Sequence, residues 1–143
     1  MTGPAREVSI GDLAMLACIL EAKAPKAGNV QPGKEFEGTT LRHFLDAAGA
    51  ISGPLDRARE NSLGDTILEA VKESRKVTDQ NVNLGIILLL APLASVPAGS
   101  APRDGLRAVL EKLDSEDCRK VYEAIRLASP GGLGNVEEAD VNS

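Results

Sequence analysis

The sequence predicts an all-α fold, a multi-helix bundle-like domain with glycine-rich functional loops, on three observations. Apolar residues recur at helical spacing in one segment after another, Ser or Thr stands in a capping position ahead of several of them, and no segment shows strand alternation bounded by hairpin turns. The composition agrees, because 43% of the 143 residues are apolar while the aromatics are only Phe36, Phe44 and Tyr122.

The first helix is expected from about Ile10 to Ala24. Ser9 and Asp12 stand in a capping-box relation, and Leu13, Leu16, Ala17, Leu20 and Ala24 recur as its apolar stripe. Glu21 falls at the apolar edge near the helix end, where a carboxylate opposes the macrodipole, so it reads either as an edge residue or as a site carboxylate. Pro25 stops the helix. The stretch that follows, KAGNVQPGKEFEG, is a loop with three glycines, and Lys23, Lys26 and Lys34 make it locally basic. Backbone amides and ammonium groups of this kind cradle phosphate, yet the pattern G-x-x-x-x-G-K-[ST] is absent and a solvated surface loop is the alternative.

Thr39 or Thr40 caps a second helix bearing Leu41, Phe44, Leu45, Ala48 and Ile51, which should end near Gly53 and Pro54. His43 lies off that stripe without a Cys or second His as partner, which favours a structural role over metal ligation, and Asp46 reads as solvated. A short helical segment is expected around Leu55 to Glu60. Ser62 and Asp65 then open a helix with Leu63, Ile67, Leu68 and Val71, ending before Thr78.

The stretch Thr78 to Pro92, TDQNVNLGIILLLAP, joins an amide-rich turn to an almost wholly apolar helix, expected to be buried over Ile86 to Ala91. The start of that helix would gather Asp79, Asn81, Asn83 and unpaired backbone N–H groups, an arrangement that attracts phosphate or carboxylate. Simple capping by Asn81 or Asn83 is the competing reading. After a small-residue loop between Pro92 and Pro102, helices over Arg103 to Leu113 and Ser115 to Ala128 form a hairpin, with Leu106, Val109, Leu110 and Leu113 on the first and Cys118, Val121, Tyr122 and Ile125 on the second. The chain closes with SPGGLGNVEEADVNS, a glycine-rich turn whose Glu137, Glu138 and Asp140 suit a magnesium ion or form an acidic tail.

Charge and length limit the function. With 16 basic against 21 acidic residues the formal balance is −5, and no basic arm or stacking cluster appears, so nucleic acid is not an expected partner. Cys18 and Cys118 form no C-x-x-C pair, and the apolar run Leu84 to Ala91 is too short to span a bilayer. A reduced, soluble, cytoplasmic chain of one domain without membrane contact is the expectation.

Three segments together carry a family resemblance: EAKAPKAGNV at Glu21 to Val30, TDQNVNLGIILLLAPLA at Thr78 to Ala94, and VYEAIRLASPGGLGNVEEADV at Val121 to Val141. They resemble the triphosphoribosyl-dephospho-coenzyme A synthase family, in its archaeal- and methylotroph-type branch. The family's E-A-x-x-x-P-K-P-G-N-V pattern matches Glu21, Ala22, Pro25, Lys26, Gly28, Asn29 and Val30, with Ala27 in place of the second proline. Its T-N-T-N-x-G pattern matches at Asn81, Asn83 and Gly85, and Glu37 is a weaker match to an acidic position after the first loop.

The resemblance implies a transferase that moves the triphosphoribosyl group of ATP to dephospho-coenzyme A and releases adenine. It implies Lys26, Gly28 and Asn29 as a triphosphate cradle and Asn81, Asn83 and Gly85 around ribose or adenine. Glu21 or Asp140 would be the general base, and Mg²⁺ would sit on Glu21, Glu37 or Asp140. Family members are longer and continue beyond the GGLG-x-VEE-x-DV motif, so residues 1–143 are expected to be one helical domain, the N-terminal portion of a longer family domain. A homo-oligomer or a completing chain is the expected protein partner. The alternatives are a related nucleotide-dependent transferase with another cofactor acceptor and a non-catalytic helical interaction module.

Overall fold

The structure, a computed structural model, describes residues 7–25, 30 and 38–129. Its elements are α1 (Ile10–Lys23), α2 (Leu41–Ala50), α3 (Ser52–Asp56), α4 (Leu63–Val77), α5 (Leu84–Ala94), α6 (Pro102–Glu111) and α7 (Ser115–Ala128), with no β-strand among the described residues. The fold is all-α, as the sequence predicts.

Local chemistry sets the helix starts. Ser9 Oγ accepts from the Asp12 amide at 3.0 Å while the Asp12 carboxylate accepts from the Ser9 amide at 3.1 Å. Ser62 Oγ likewise accepts from the Asp65 amide at the head of α4, and Asp114 Oδ1 from the Asp117 amide at the head of α7. At α2 the Thr40 amide donates to His43 Nδ1 at 3.1 Å, which gives the lone histidine the structural role expected of it. Asp46 pairs with Arg42 one turn away.

α4 lies at the centre, packed on α7, α2, α5 and α3, while α1 lies against α2 and α3. Ile51, Leu55 and Ile87 are fully buried, and alanines such as Ala47, Ala70, Ala91 and Ala124 let the helices approach closely around them. Truncating any one of the three large side chains to Ala costs about 2–5 kcal/mol at such sites.

Expectations about burial are corrected on α1 and α5. On α1 the buried face is Gly11, Ala14, Cys18 and Ala22, and the leucines expected as its core stripe, Leu13, Leu16 and Leu20, are exposed, Leu20 by 61%. The reason is close approach: the Gly11 amide donates to Asp56 Oδ1 at 2.6 Å, and a Cβ at Gly11 would lie 2.1 Å from the Ser52 carbonyl oxygen. Only a small-residue face fits against α3, and this turns the leucines outward. On α5 only Ile87, Ala91 and Ala94 are buried, and Leu89 is 71% exposed, so the helix is not enclosed on all sides. Nor does Pro92 end it. Proline has no N–H, so the Leu88 carbonyl receives no bond from it, but one helical turn absorbs this loss before Ser95, whose amide and Oγ both donate to the Ala91 carbonyl.

The short helix also begins earlier than expected, at Ser52, because Pro54 falls within a first turn, where its missing N–H has no partner to lose. Leu110, Leu113 and Tyr122, read as stripe residues of the closing hairpin, are exposed. Among the described residues no helix is long and apolar enough to cross a membrane.

Candidate functional site

The amide-rich turn between α4 and α5 is held from several sides. Thr78, buried at the end of α4, accepts the Gln80 amide on its Oγ1 at 3.1 Å. Asn83 occupies the position before α5, but its side chain does not cap the helix. Instead Oδ1 accepts from Ser74 Oγ at 2.9 Å and Nδ2 donates to the Ala47 carbonyl at 3.3 Å, so one amide ties the start of α5 to both α4 and α2. Capping in the ordinary sense is therefore not what this asparagine does.

The first intrahelical bond of α5 runs from the Ile87 amide to the Asn83 carbonyl at 2.9 Å, which leaves the N–H groups of Leu84, Gly85 and Ile86 ahead of the ladder. Gly85 is exposed, and a Cβ built there meets nothing within 4 Å among the described residues. This separates it from the glycines at the same position of α1 and α4. Gly11 and Gly64 donate to the Asp56 and Asp117 carboxylates at 2.6 and 2.7 Å, and a Cβ on either would collide with the neighbouring helix. Internal packing requires glycine at those two positions and not at Gly85.

Two of the three motif segments meet here, and the residues just after the glycine-rich loop adjoin them. Thr39 Oγ1, just after the glycine-rich loop, donates to Gln80 Oε1 at 3.2 Å, and Gly38 beside it takes the left-handed φ of +77° that favours glycine. A small depression of about 10 Å³ lies between Ser74, Arg75, Gln80, Asn81, Asn83 and Ala128. Ala128 is the last residue of α7, and Ser129 after it adopts a left-handed conformation with φ +48° that ends the helix. Asn81, Asn83 and the last described residue before SPGGLG are thus neighbours.

Of the other sequence-derived site residues, Lys26, Gly28, Asn29, Glu37 and Asp140 lie outside the described residues. Glu21 is exposed in the last turn of α1. Burial, with the Glu21 carboxylate adding to it, pushes the Cys18 thiol up to about 11, which keeps that thiol protonated and unreactive at neutral pH. Among the described residues no three His, Cys, Asp or Glu side chains gather where they could hold a metal ion.

Two residues at this site were not found from sequence. Ser74 is buried on the core-facing row of α4 formed by Ile67, Ala70 and Val71, and a hydroxyl in such a row signals a required partner. Arg75 borders the depression and donates through Nη1 to the Asp79 carbonyl. No carboxylate among the described residues pairs with it, whereas Lys72 and Lys76 of the same helix pair with Glu123 and Glu73. Its place in a run of alternating charges hid it.

Comparison with known proteins gives one result. The CitG family model, described as ATP:dephospho-CoA triphosphoribosyl transferase, matches residues 7–143. No curated protein and no solved structure matches the chain.

Proposed function

The chain belongs to the ATP:dephospho-CoA triphosphoribosyl transferase family, and from that premise we propose that it transfers the triphosphoribosyl group of ATP to dephospho-coenzyme A. The observation that supports this reading is the meeting of two motif segments far apart in sequence, at Asn83 and Ala128, on a turn to which Thr39, after the glycine-rich loop, bonds through Gln80. Residues far apart in sequence supply one surface, and at Gly85, two residues after Asn83, nothing among the described residues requires glycine.

In the proposed reaction the bond from ribose C1′ to adenine N9 breaks as a bond from C1′ to an acceptor hydroxyl oxygen forms. The hydroxyl proton passes to a base, the departing adenine takes up a proton, and the ribose carries oxocarbenium character between the two. Such a transfer requires a held triphosphate, a leaving base met by hydrogen bonds, and a group that removes the acceptor proton. Lys26 with the Gly28 and Asn29 backbone is the proposed cradle, Arg75 stands beside it in function as a cation without a carboxylate partner among the described residues, and the backbone N–H groups at Gly85 and its neighbours donate to negatively charged oxygens. Asn81 and Asn83 orient ribose or base, and Glu21 or Asp140 takes the proton. Mg²⁺ bound by Glu21, Glu37 or Asp140 would neutralise phosphate charge, the work for which carboxylate oxygen and a hard cation are matched.

The exposed leucines of α1 and α5 support the partner part of the proposal. Leu13 and Leu93 face one apolar groove of about 510 Å³, with Leu16, Leu20 and Leu89 exposed on the same two helices. A helix apolar on all sides is ordinarily covered, so a second copy or a completing chain is proposed to sit there.

The test is to incubate the protein with ATP, Mg²⁺ and dephospho-coenzyme A and to look for free adenine together with an adduct heavier by one triphosphoribosyl unit. Adenine without the adduct would reject the acceptor and leave a related transferase with another acceptor.

A further inference from the structure

Resting on the partner proposed above, we infer that the apolar face of α1 and α5 is covered by a second copy of this chain, whose α1 lies antiparallel across α1 with Leu13 of one copy opposite Leu20 of the other. Between residues 13 and 20 the exposed positions of α1 are Leu13, Leu16, Ala17 and Leu20. None of them is polar. They are spaced evenly about a midpoint between Leu16 and Ala17, so a twofold axis at that point sets leucine on leucine at the ends and leucine on alanine at the centre. Large residues facing small ones fill the seam between two helices, and a patch that complements itself is what twofold symmetry requires.

The surface is also large enough. Leu89 and Leu93 extend it onto α5, and the five leucines, exposed by 47 to 71%, leave on the order of 500 Å² of apolar surface per copy. Two such surfaces face to face reach the roughly 1,000 Å² that a specific interface buries. The charges agree with this register. Among the residues lining the groove beside Leu13 and Ala17 only Arg59 is charged; its Nε donates to the Val96 carbonyl at 2.8 Å, and no carboxylate among the described residues pairs with it. An antiparallel α1 brings its last turn, with the exposed Glu21 of the partner subunit, over this N-terminal half of α1. The guanidinium meets a carboxylate there. A carboxylate so paired is a poor base, so of the two residues proposed to take the acceptor proton the register leaves Asp140.

The inference is tested by the mass of the full chain in solution, from light scattering at about 100 µM, together with disulfide trapping in a Cys118→Ser background. The unaltered chain should show twice its 14.9 kDa. Leu16→Glu replaces a half-exposed side chain and sets two carboxylates at the axis, so it should raise the dissociation constant by about tenfold or more with an unchanged circular dichroism spectrum. Arg59→Glu should weaken the dimer several-fold, and Arg59→Glu combined with Glu21→Arg should restore it. On oxidation Leu16→Cys should join two copies, whereas Leu13→Cys should not, because residue 13 lies about 10 Å along the helix from its own counterpart. A monomer overturns the inference. Trapping at both positions, which marks a parallel pair, overturns it too, as does an exchanged charge pair that fails to restore the dimer. None of these results touches adenine release from ATP, so the proposed transfer stands or falls by its own assay.

Discussion

The Gly64 amide donates to the Asp117 carboxylate at 2.7 Å across the seam between α4 and α7. The same carboxylate also accepts the Asp114 amide within the α7 capping box, so one buried aspartate holds the starts of two helices at once. A Cβ on Gly64 would lie 2.7 Å from the Asp117 Cα, and neither backbone can yield cheaply. Gly64→Ala should therefore destabilise the fold by about 1–3 kcal/mol through overpacking, read as a lowered midpoint in urea denaturation. Asp117→Ala should cost a similar amount by a different route, since it leaves the buried Gly64 N–H without its acceptor.

Gly85→Ala should behave in the opposite way. Nothing among the described residues stands within 4 Å of a new Cβ there, and replacing glycine by alanine in a helix gains about 0.5–1 kcal/mol. The midpoint is expected to stay level or rise while ATP binding, followed by titration calorimetry, weakens because the backbone can no longer be approached closely. Loss of stability together with unchanged binding would remove Gly85 from the site.

Much of this architecture is legible in the sequence, and the unreadable parts have a common cause. Helix starts at Ser9 and Ser62 could be read because a cap is a local pattern, and the helical stretches could be read from their period. Which face of a helix turns inward is a matter of tertiary contact. On α1 the single bond from Gly11 to Asp56, 45 residues away, selects the small-residue face over the leucines. The site followed the same rule. Asn81, Asn83 and Gly85 are legible as a motif, but Ser74, Thr39 and Ala47 join it only through tertiary hydrogen bonds.

The two cysteines should differ in reactivity. Cys118 is exposed, whereas Cys18 is buried with its thiol pushed up to about 11 from an ordinary 9.0. Iodoacetamide at pH 8 should label Cys118 first, a result readable by mass spectrometry of peptides. A raised folded-state value means the native chain holds the proton more tightly. The stability this supplies is complete below pH 9 and is lost as pH rises toward 11, so the melting temperature should fall across that window and fall less in Cys18→Ala.

Leu89→Glu tests the exposed apolar face. Because Leu89 is mostly in solvent, the substitution should change the fold's stability by no more than about 0.5 kcal/mol. Light scattering should show that it lowers self-association or capture of a completing chain. An unchanged mass and unchanged activity would leave that face without a partner role.

The central claim is that the turn around Asn83 and the Lys26 loop belong to the working nucleotide site of a triphosphoribosyl transferase. Its most direct test is release of adenine from ATP in the presence of Mg²⁺ and dephospho-coenzyme A, measured in parallel for the unaltered chain and for Lys26→Ala. The account expects adenine and the triphosphoribosyl adduct to appear in equal amounts with the unaltered chain, and both to fall at least tenfold in Lys26→Ala while the melting temperature holds. Neither product from the unaltered chain, in a sample that is folded and binds ATP, would contradict it.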